Sequence, residues 1–513
     1  MRCPAARRRL LTGSIAVVVL LVALVAACTP GLDTPPTTTV GQAADDRRPN
    51  IVVIMTDDLA WAEMAHLPSV RRLLSQEGRR FDNAFVSVPV CCPSRVTMLR
   101  GQYAHNTGVL RNAGADGGFV TAHDRGLEAD MLGPLLHQDG YATALYGRYL
   151  NGYPRPEPLT YRPDGWDGWA VPVRGIDQQL DYTLNEDGVV VEHRGEQLTD
   201  LLFDRTIDFA TASVAQDRPF FVWLTPAEPH HPAVPAQRHA EWFGDETLPR
   251  TPNHNEADVS DKPAYVQAAA SLGKGREDQY DEVFRDRIRS LQTVDEGVAR
   301  LVDELDRAGV LDQTYIVFSS DNGYHIGNHR LLAGKGSPYE EDVRVPLVVR
   351  GPSVPAGTVS QALVGNVDLY PTIGALAGLA SPDFVDGRDL RAEWRGRPDE
   401  DQRTVYLLEH WQKDLTGTSD ESEPDSQPPG GDGTIPDWRG LRGQDWSYVV
   451  YATGERELYD LATDPYQLTN LAGALAPDDQ QVLDDRLAEL ATCVAATCRA
   501  AEAAPLAFTV PGR

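Results

Sequence analysis

The chain has 513 residues, more than a single ordinary core requires, and its apolar and charged fractions are those of a globular protein. Its formal net charge of −28 at pH 7 excludes nucleic acid as a partner, because a phosphate backbone requires a basic face. An anionic substrate would therefore have to be held by local positive charge, from a metal ion or a few lysines and arginines.

The N-terminal segment has the features of an export signal. Arginines at positions 2 and 7–9 precede an apolar run over residues 15–27, which predicts a signal peptide over residues 1–27. The small residues before Cys28 resemble a bacterial lipobox, which implies lipidation of Cys28 and export to the bacterial cell surface. The chain would then be attached to the cell membrane through its lipid anchor only. The alternative is an ordinary signal peptide with an incidental cysteine. The Thr-, Pro- and Asp-rich residues 28–48 predict a disordered tether.

Alternating strand and helix patterns begin at residue 49. The continuous apolar, β-branched run 51–55 is typical of a strand buried on both faces of a parallel sheet. Residues 67–74 predict a short amphipathic helix. Further patterns predict strands at 142–146, 220–225, 315–319 and 345–349, and helices at 201–212 and 280–308. This alternation predicts an α/β fold class, a doubly wound sheet with helices on both faces, over residues 49–387.

The composition changes after Gly378. Residues 414–436 are rich in Asp, Ser, Pro and Gly and predict a disordered surface loop. Alternating patterns at 446–451 and 457–461 predict antiparallel strands, and residues 478–490 predict a closing helix. We therefore expect a smaller C-terminal α+β domain over residues 388–500, followed by a tail over 501–513. Outside the cytoplasm, Cys493 and Cys498 could close a small disulfide loop.

Acidic motifs follow two of the predicted strands. Asp57 and Asp58 come directly after the first strand, and Asp321 and Asn322 follow the strand at 315–319. In open α/β sheets, ligands collect at the carboxyl ends of the strands. Carboxylate and amide oxygens favour Ca²⁺, or less strongly Mg²⁺, over zinc, which prefers His or Cys. Either motif alone is typical of a turn, but the two together favour a metal site.

A second motif combines two adjacent cysteines with a helix start. Pro93 suits the first turn of a helix, so the side chain of Cys91 should lie at a helix N-terminus, where the amide groups and the dipole favour an anion. A buried thiol beside a helix cap is the alternative interpretation of this segment.

The run Cys91-Cys92-Pro93-Ser94-Arg95, with Leu99 and Gly101, resembles the signature of type I sulfatases, in which the first cysteine is oxidised to formylglycine. The resemblance extends from Pro49 to about Gly473. Within the family, several motifs are most similar to those of N-acetylglucosamine-6-sulfatases and extracellular heparan endosulfatases. These motifs are the cysteine run, Gly101-Gln102-Tyr103-Ala104-His105-Asn106, Tyr149-Leu150-Asn151 and Asp321-Asn322-Gly323-Tyr324-His325.

The resemblance implies an alkaline-phosphatase-like fold and a Ca²⁺ ion bound by Asp57, Asp58, Asp321, Asn322 and the modified Cys91. It implies that a formylglycine-generating enzyme converts Cys91 before the chain folds. One hydroxyl of the hydrated aldehyde would attack sulfur, and the other would let the sulfated intermediate collapse and expel sulfate.

The resemblance also implies roles for three side chains around the nucleophile. Arg95 would orient and stabilise the diol, Lys335 would hold the sulfate oxygens together with the metal, and His230 would donate a proton to the leaving alcohol.

One segment departs from the family pattern. Many sulfatases have Gly-Lys-Trp-His where this chain has Gly147-Arg148-Tyr149-Leu150. Arg148 keeps the positive charge and could grip sulfate with two nitrogens, but it cannot exchange a proton as lysine can. Leu150 removes a candidate base for the collapse step. His105, Asn151 and His325 are the expected substrate-binding residues.

We therefore expect a sulfatase that acts on a sulfated saccharide or another sulfate ester, above all a 6-O-sulfated amino sugar or a glycosaminoglycan-like glycan. One alternative keeps the site and changes the ester, because phosphonate monoester and phosphodiester hydrolases share this fold. The other is a catalytically inactive lipoprotein that binds glycans.

Overall fold

The computed structural model describes residues 48–174, 178–397, 402–412 and 435–513. The predicted signal peptide, Cys28, residues 28–47 of the predicted tether and residues 414–434 of the predicted loop lie outside these ranges. In the described part of the chain, no helix combines the length and the apolar character needed to cross a membrane.

Sixteen strands occur within the described residues, in three sheets. They are β1 (Asn50–Thr56), β2 (Arg79–Phe81), β3 (Ala84–Phe85), β4 (Ala142–Gly147), β5 (Gly168–Arg174), β6 (Asp181–Glu186), β7 (Val189–Arg194), β8 (Phe220–Thr225), β9 (Thr314–Ser320), β10 (Leu347–Arg350), β11 (Thr358–Ser360), β12 (Val364–Gly365), β13 (Tyr406–His410), β14 (Trp438–Arg442), β15 (Trp446–Tyr451) and β16 (Arg456–Asp460).

The same ranges contain twelve α-helices. They are α1 (Cys91–Arg100), α2 (Ala104–Thr107), α3 (Gly118–Asp124), α4 (Leu132–Gln138), α5 (Leu198–Ala215), α6 (Ala264–Gln267), α7 (Lys274–Arg307), α8 (Glu340–Val343), α9 (Leu369–Leu376), α10 (Arg391–Trp394), α11 (Pro477–Leu490) and α12 (Ala496–Ala503).

The largest sheet has ten strands in the order β11-β2-β10-β9-β1-β8-β4-β5-β6-β7. Its centre, β9-β1-β8-β4-β5, is parallel, whereas β10, β6 and β7 add antiparallel neighbours. Every residue of β1 is buried, and its side chains alternate between two cores. Ile51, Val53 and Met55 share one core with α1, while Val52 and Ile54 share the other with α5 and α7. Burial on both faces explains why β1 is apolar without alternation.

The predicted α/β class, with a smaller antiparallel sheet near the C-terminus, is confirmed. The four strands β13 to β16 form that second sheet in chain order. Within the large sheet, β10, β6 and β7 pair antiparallel with their neighbours, whereas the edge strand β11 pairs parallel with β2. The predicted short helix at 67–74 is present as a helical segment over residues 68–75, of which Val70–Ser75 is a π-helical turn. Pro68 is the first residue of this segment, where its missing N–H costs no helical hydrogen bond, and a separate 3₁₀ turn (Trp61–His66) precedes it.

A buried ion-pair network ties the C-terminal part of the chain to the rest. The guanidinium of Arg403 contacts both carboxylate oxygens of Asp368 at 2.7 and 2.8 Å, and its Nε lies 2.9 Å from Glu502 on α12. The side chains of all three residues are at most 1% exposed. Asp368 and Glu502 share Arg403 as a counter-ion, and Arg388 Nε also lies 3.3 Å from Glu502 Oε2.

We predict that Arg403→Met lowers the free energy of unfolding by about 3–5 kcal/mol, because it leaves the buried Asp368 without its arginine and Glu502 with only the longer contact to Arg388. Urea unfolding followed by circular dichroism measures the change. Arg391→Met is the matched control, since Arg391 forms an ion pair with Asp389 in which both side chains are more than a third exposed. The control should stay within about 1 kcal/mol of the parent. Equal losses in the two variants would contradict the role assigned to the network.

Candidate active site at the ends of β1 and β9

The pairing of β1 with β9 brings the two acidic motifs together. Thr56 and Ser320 are register partners at the carboxyl ends of these strands, so Asp57, Asp58, Asp321 and Asn322 leave the sheet side by side. The Asp58 amide donates to Asp321 Oδ1 at 3.1 Å, and Asn322 Nδ2 donates to Asp58 Oδ1 at 2.6 Å. All four side chains are buried.

Cys91 is the first residue of α1, as the sequence predicts, and its side chain faces these carboxylates. Its Sγ lies 3.4 Å from Asp57 Oδ1 and 4.0 Å from Asp58 Oδ1. One donor atom each from Asp57, Asp58, Cys91 and Asp321 lie within 4.8 Å of one another. Cys92 instead packs in the apolar core between α1 and the sheet. The adjacent cysteines therefore have different environments, and only the first one borders the acidic cluster.

The Ser94-Arg95 pair of the motif contacts Asp321. The Ser94 hydroxyl donates to the Asp321 carbonyl, and Arg95 Nε donates to Asp321 Oδ2 at 2.8 Å. A second nitrogen of Arg95 lies 3.0 Å from Asp57 Oδ2, and a third donates to the Arg148 carbonyl at 2.7 Å. This one buried guanidinium thus fixes the segments after β1, β9 and β4 relative to one another.

Two further cations complete the charge balance. Arg148 Nη1 lies 2.5 Å from Asp57 Oδ2. Lys335 Nζ lies 2.7 Å from both Asp58 Oδ1 and Cys91 Sγ. Burial by itself would raise the pKa of Asp57, but Arg148 and Arg95 outweigh it and hold that pKa well below its usual range. The three carboxylates are thus matched by three permanent or near-permanent positive charges.

The cluster fits a hard divalent cation. Burial raises the pKa of Asp321 to about 6, and the negative charge of Asp57 adds to the effect. The buried Asn322 Oδ1 has no hydrogen-bond partner among the described residues. A cation between these groups would neutralise the repulsion and satisfy the amide oxygen.

His230 approaches the same centre from the loop after β8. Its Nδ1 is 2.7 Å from the His231 carbonyl, so Nδ1 carries the proton and Nε2 is turned towards the carboxylates. Nε2 lies 3.9 Å from Asp58 Oδ2, and one donor atom each from Asp57, Cys91 and His230 lie within 4.8 Å of one another. Two residues earlier, the Glu228 carbonyl accepts a hydrogen bond from the Asp57 amide, which ties this loop to the end of β1.

His105 and Asn151, two of the expected substrate-binding residues, both form hydrogen bonds within the protein. Both ring nitrogens of His105 have protein partners, Glu409 Oε2 at 2.8 Å and the Cys493 carbonyl at 3.0 Å. Cys493 itself forms a disulfide with Cys498. Asn151 is buried, and its carbonyl accepts the Phe119 amide. Leu150 is part of the apolar core.

His325 supports the loop that carries Lys335. It exchanges two backbone hydrogen bonds with Gly334, and its Nδ1 lies 2.8 Å from Asp342 Oδ1. No sequence pattern predicts Trp438 at this loop, yet its indole N–H donates to the Gly336 carbonyl at 2.9 Å. Trp438 lies on β14, about a hundred residues further along the chain, and a tryptophan in a strand has no signal that separates such a role from ordinary packing.

Comparison with known proteins agrees with this geometry. The Sulfatase family model matches residues 49–379, well over half of the chain, so the chain belongs to the sulfatase family. Its relatives include an arylsulfatase of Volvox carteri, 34% identical over 89% of this chain and 76% of the relative. The human N-acetylglucosamine-6-sulfatase is 32% identical over 90% of this chain and 87% of the relative. The resemblance inferred from the sequence motifs is confirmed.

A solved structure has the same fold. It is a protein in complex with its substrate D-glucosamine-2-N,6-O-disulfate, which superposes with a TM-score of 0.72 at 24% identity, covering 86% of this chain and 97% of that one. At this identity the likeness establishes the fold.

Proposed function

We propose that this sulfatase hydrolyses the 6-O-sulfate ester of an amino sugar or glycosaminoglycan-like glycan, using formylglycine derived from Cys91 and a bound Ca²⁺. The observation that carries the proposal is the position of Cys91, at the start of α1, between two carboxylates and the Lys335 ammonium. A thiol is a soft ligand and a poor neighbour for a hard cation, whereas a hydrated aldehyde offers hydroxyl oxygens. The site is therefore chemically consistent once Cys91 is modified.

Asp57, Asp58, Asp321 and Asn322 would hold the metal, together with the modified residue 91. Bound Ca²⁺ would supply a positive charge that draws electron density from a sulfate oxygen, and formylglycine would supply a hydroxyl nucleophile. Three carboxylates balanced by three cations leave little net charge, so a divalent cation would make the site positive. Such a site can bind an anionic ester in spite of the overall charge of −28.

The chain's own side chains have distinct tasks in this proposal. Lys335 reaches both Asp58 and position 91, so its ammonium is placed to stabilise charge on the sulfate oxygens. Arg95 and Arg148 hold Asp57 and Asp321 in place from behind. His230 presents Nε2 to the site and, when protonated, would donate that proton to the oxygen of the departing alcohol.

The substrate class rests on the relatives. The N-acetylglucosamine-6-sulfatase name of the human relative supports an amino sugar with a 6-O-sulfate, and the glucosamine disulfate bound in the similar structure agrees with it. We also propose that residues 49–387 form the catalytic domain and residues 388–500 its C-terminal companion. The leader sequence supports export to the bacterial cell surface with a lipid on Cys28.

We predict that the matured protein releases sulfate from N-acetylglucosamine-6-sulfate, and that EDTA or Asp321→Ala lowers kcat by about 10³-fold or more because the sulfate charge loses its counter-ion. Ion chromatography of released sulfate measures the rate. Asp312→Ala, an exposed carboxylate just before the other end of β9, is the control and should leave the rate unchanged. Faster phosphate release from a matched aryl phosphate than sulfate release from the aryl sulfate would favour the phosphonate or phosphodiester hydrolase. Full activity of Asp321→Ala would place the metal elsewhere.

We predict that the effect of His230→Gln depends on the leaving group. A sugar alcohol requires protonation as it departs, so kcat/KM on N-acetylglucosamine-6-sulfate should fall by roughly 10²–10⁴-fold. The 4-nitrophenolate ion is stable without a proton, so the loss on 4-nitrophenyl sulfate should be less than about tenfold. Steady-state kinetics on the two substrates give both ratios. An equal loss on both would mean that His230 binds or positions the ester instead of acting as its acid.

A further inference from the structure

A buried arginine outside the sequence motifs lies directly behind the acidic cluster. Arg287 is on α7, and its side chain is 2% exposed. Its guanidinium forms a two-point contact with Glu63, with Nε 2.6 Å from Oε1 and Nη2 2.7 Å from Oε2. Glu63 is equally buried, so the pair has no screening by solvent. Such a pair fixes the plane of the guanidinium and therefore the direction of its remaining N–H groups.

Those remaining groups bind the backbone of two segments that carry proposed site residues. Arg287 Nη2 donates to the Asp58 carbonyl at 2.6 Å, and Nη1 donates to the Pro229 carbonyl at 3.1 Å. Pro229 directly precedes His230. The ring of Tyr324, two residues after Asn322, lies 4.3 Å from the guanidinium carbon. Arg287 thus contacts three segments of the proposed site. Two of them carry the proposed metal ligands Asp58 and Asn322, and the third carries the proposed acid, His230.

The contact with Asp58 has a particular consequence. Asp58 has a φ of +66°, in the left-handed region that residues other than glycine rarely adopt. In this conformation the Asp58 carbonyl points to Arg287 while the carboxylate faces Cys91 and Lys335. Glu63 braces the same turn, since its Oε2 also accepts the Ala60 amide at 3.0 Å. The Arg287–Glu63 pair therefore holds both ends of the turn that presents Asp58.

We propose that Arg287, oriented by Glu63, is a positioning residue that keeps Asp58 in its left-handed conformation and thereby sets the Ca²⁺ affinity of the site. This inference rests on the Ca²⁺ site proposed above. Arg287 would also set the spacing between the Asp58 and His230 segments, because its one guanidinium holds the backbone of both.

The test compares two variants with a matched control. Arg287→Lys keeps the charge opposite Glu63 but loses the planar fork. The double variant Arg287→Met/Glu63→Met removes both charges and fills the space with apolar side chains, so no buried ion is left without a partner. Arg289→Met is the control, because Arg289 is on the same helix and also donates to a backbone carbonyl, that of Trp242, away from the site.

Isothermal titration of EDTA-treated protein with Ca²⁺ measures the affinity, and thermal unfolding without Ca²⁺ checks that each variant is folded. We expect the Kd for Ca²⁺ to rise by about 10–100-fold in both variants, and kcat to fall by about tenfold or more at saturating Ca²⁺, while the control matches the parent. A double variant that is folded and binds Ca²⁺ as tightly as the parent overturns the role of Arg287. A parent protein that binds no Ca²⁺ overturns the proposed metal site and, with it, this inference.

Discussion

Three carboxylates lie side by side in a buried pocket, and the arrangement around them exists because like charges repel strongly where water is scarce. Asp57, Asp58 and Asp321 leave adjacent strands of the sheet, so the β1–β9 register itself creates the problem. Arg95, Arg148 and Lys335 each contact at least one of these carboxylates. Burial and the charge of Asp57 still keep the pKa of Asp321 at about 6. A cation bound among the carboxylates of Asp57, Asp58 and Asp321, as proposed, would offset their remaining repulsion.

Cys91, the proposed nucleophile position, borders the same charged groups. The start of α1 directs its amide groups and the positive end of its dipole towards the pocket. Ser94 and Arg95, on the next turn of that helix, fix Asp321, so the cysteine motif and the second acidic motif form one structural unit. Behind it, Arg287 and Glu63 hold the turn of Asp58. In the proposed function, sulfate recognition would depend on these buried ion pairs as much as on the residues that contact the ester.

Much of the centre could be predicted from the sequence. Strands buried on both faces have continuous apolar runs, so the sequence predicts β1, β8 and β9 to within a residue or two. The rule that ligands collect at the carboxyl ends of strands predicts that both acidic motifs belong to one site. The patterns also predict β10 to within two residues, but they do not predict β5 to β7 or β11. Strand β7 has no buried residue and β11 has only three residues, so neither has a clear apolar pattern. No sequence pattern indicates the contacts between distant segments. Trp438 donates to the Gly336 carbonyl and Arg287 donates to the Asp58 carbonyl, and every residue offers such a backbone acceptor. His105 was expected at the substrate, whereas both of its ring nitrogens contact the protein.

The central claim is that position 91 acts as an aldehyde and not as a thiol. The most direct measurement is peptide mass spectrometry of the segment around residues 91–95, on active protein from a cell that contains the formylglycine-generating enzyme. The account predicts formylglycine at position 91 and an unmodified cysteine at position 92, with sulfate release in proportion to the modified fraction. A fully intact Cys91 thiol in protein that releases sulfate would contradict it.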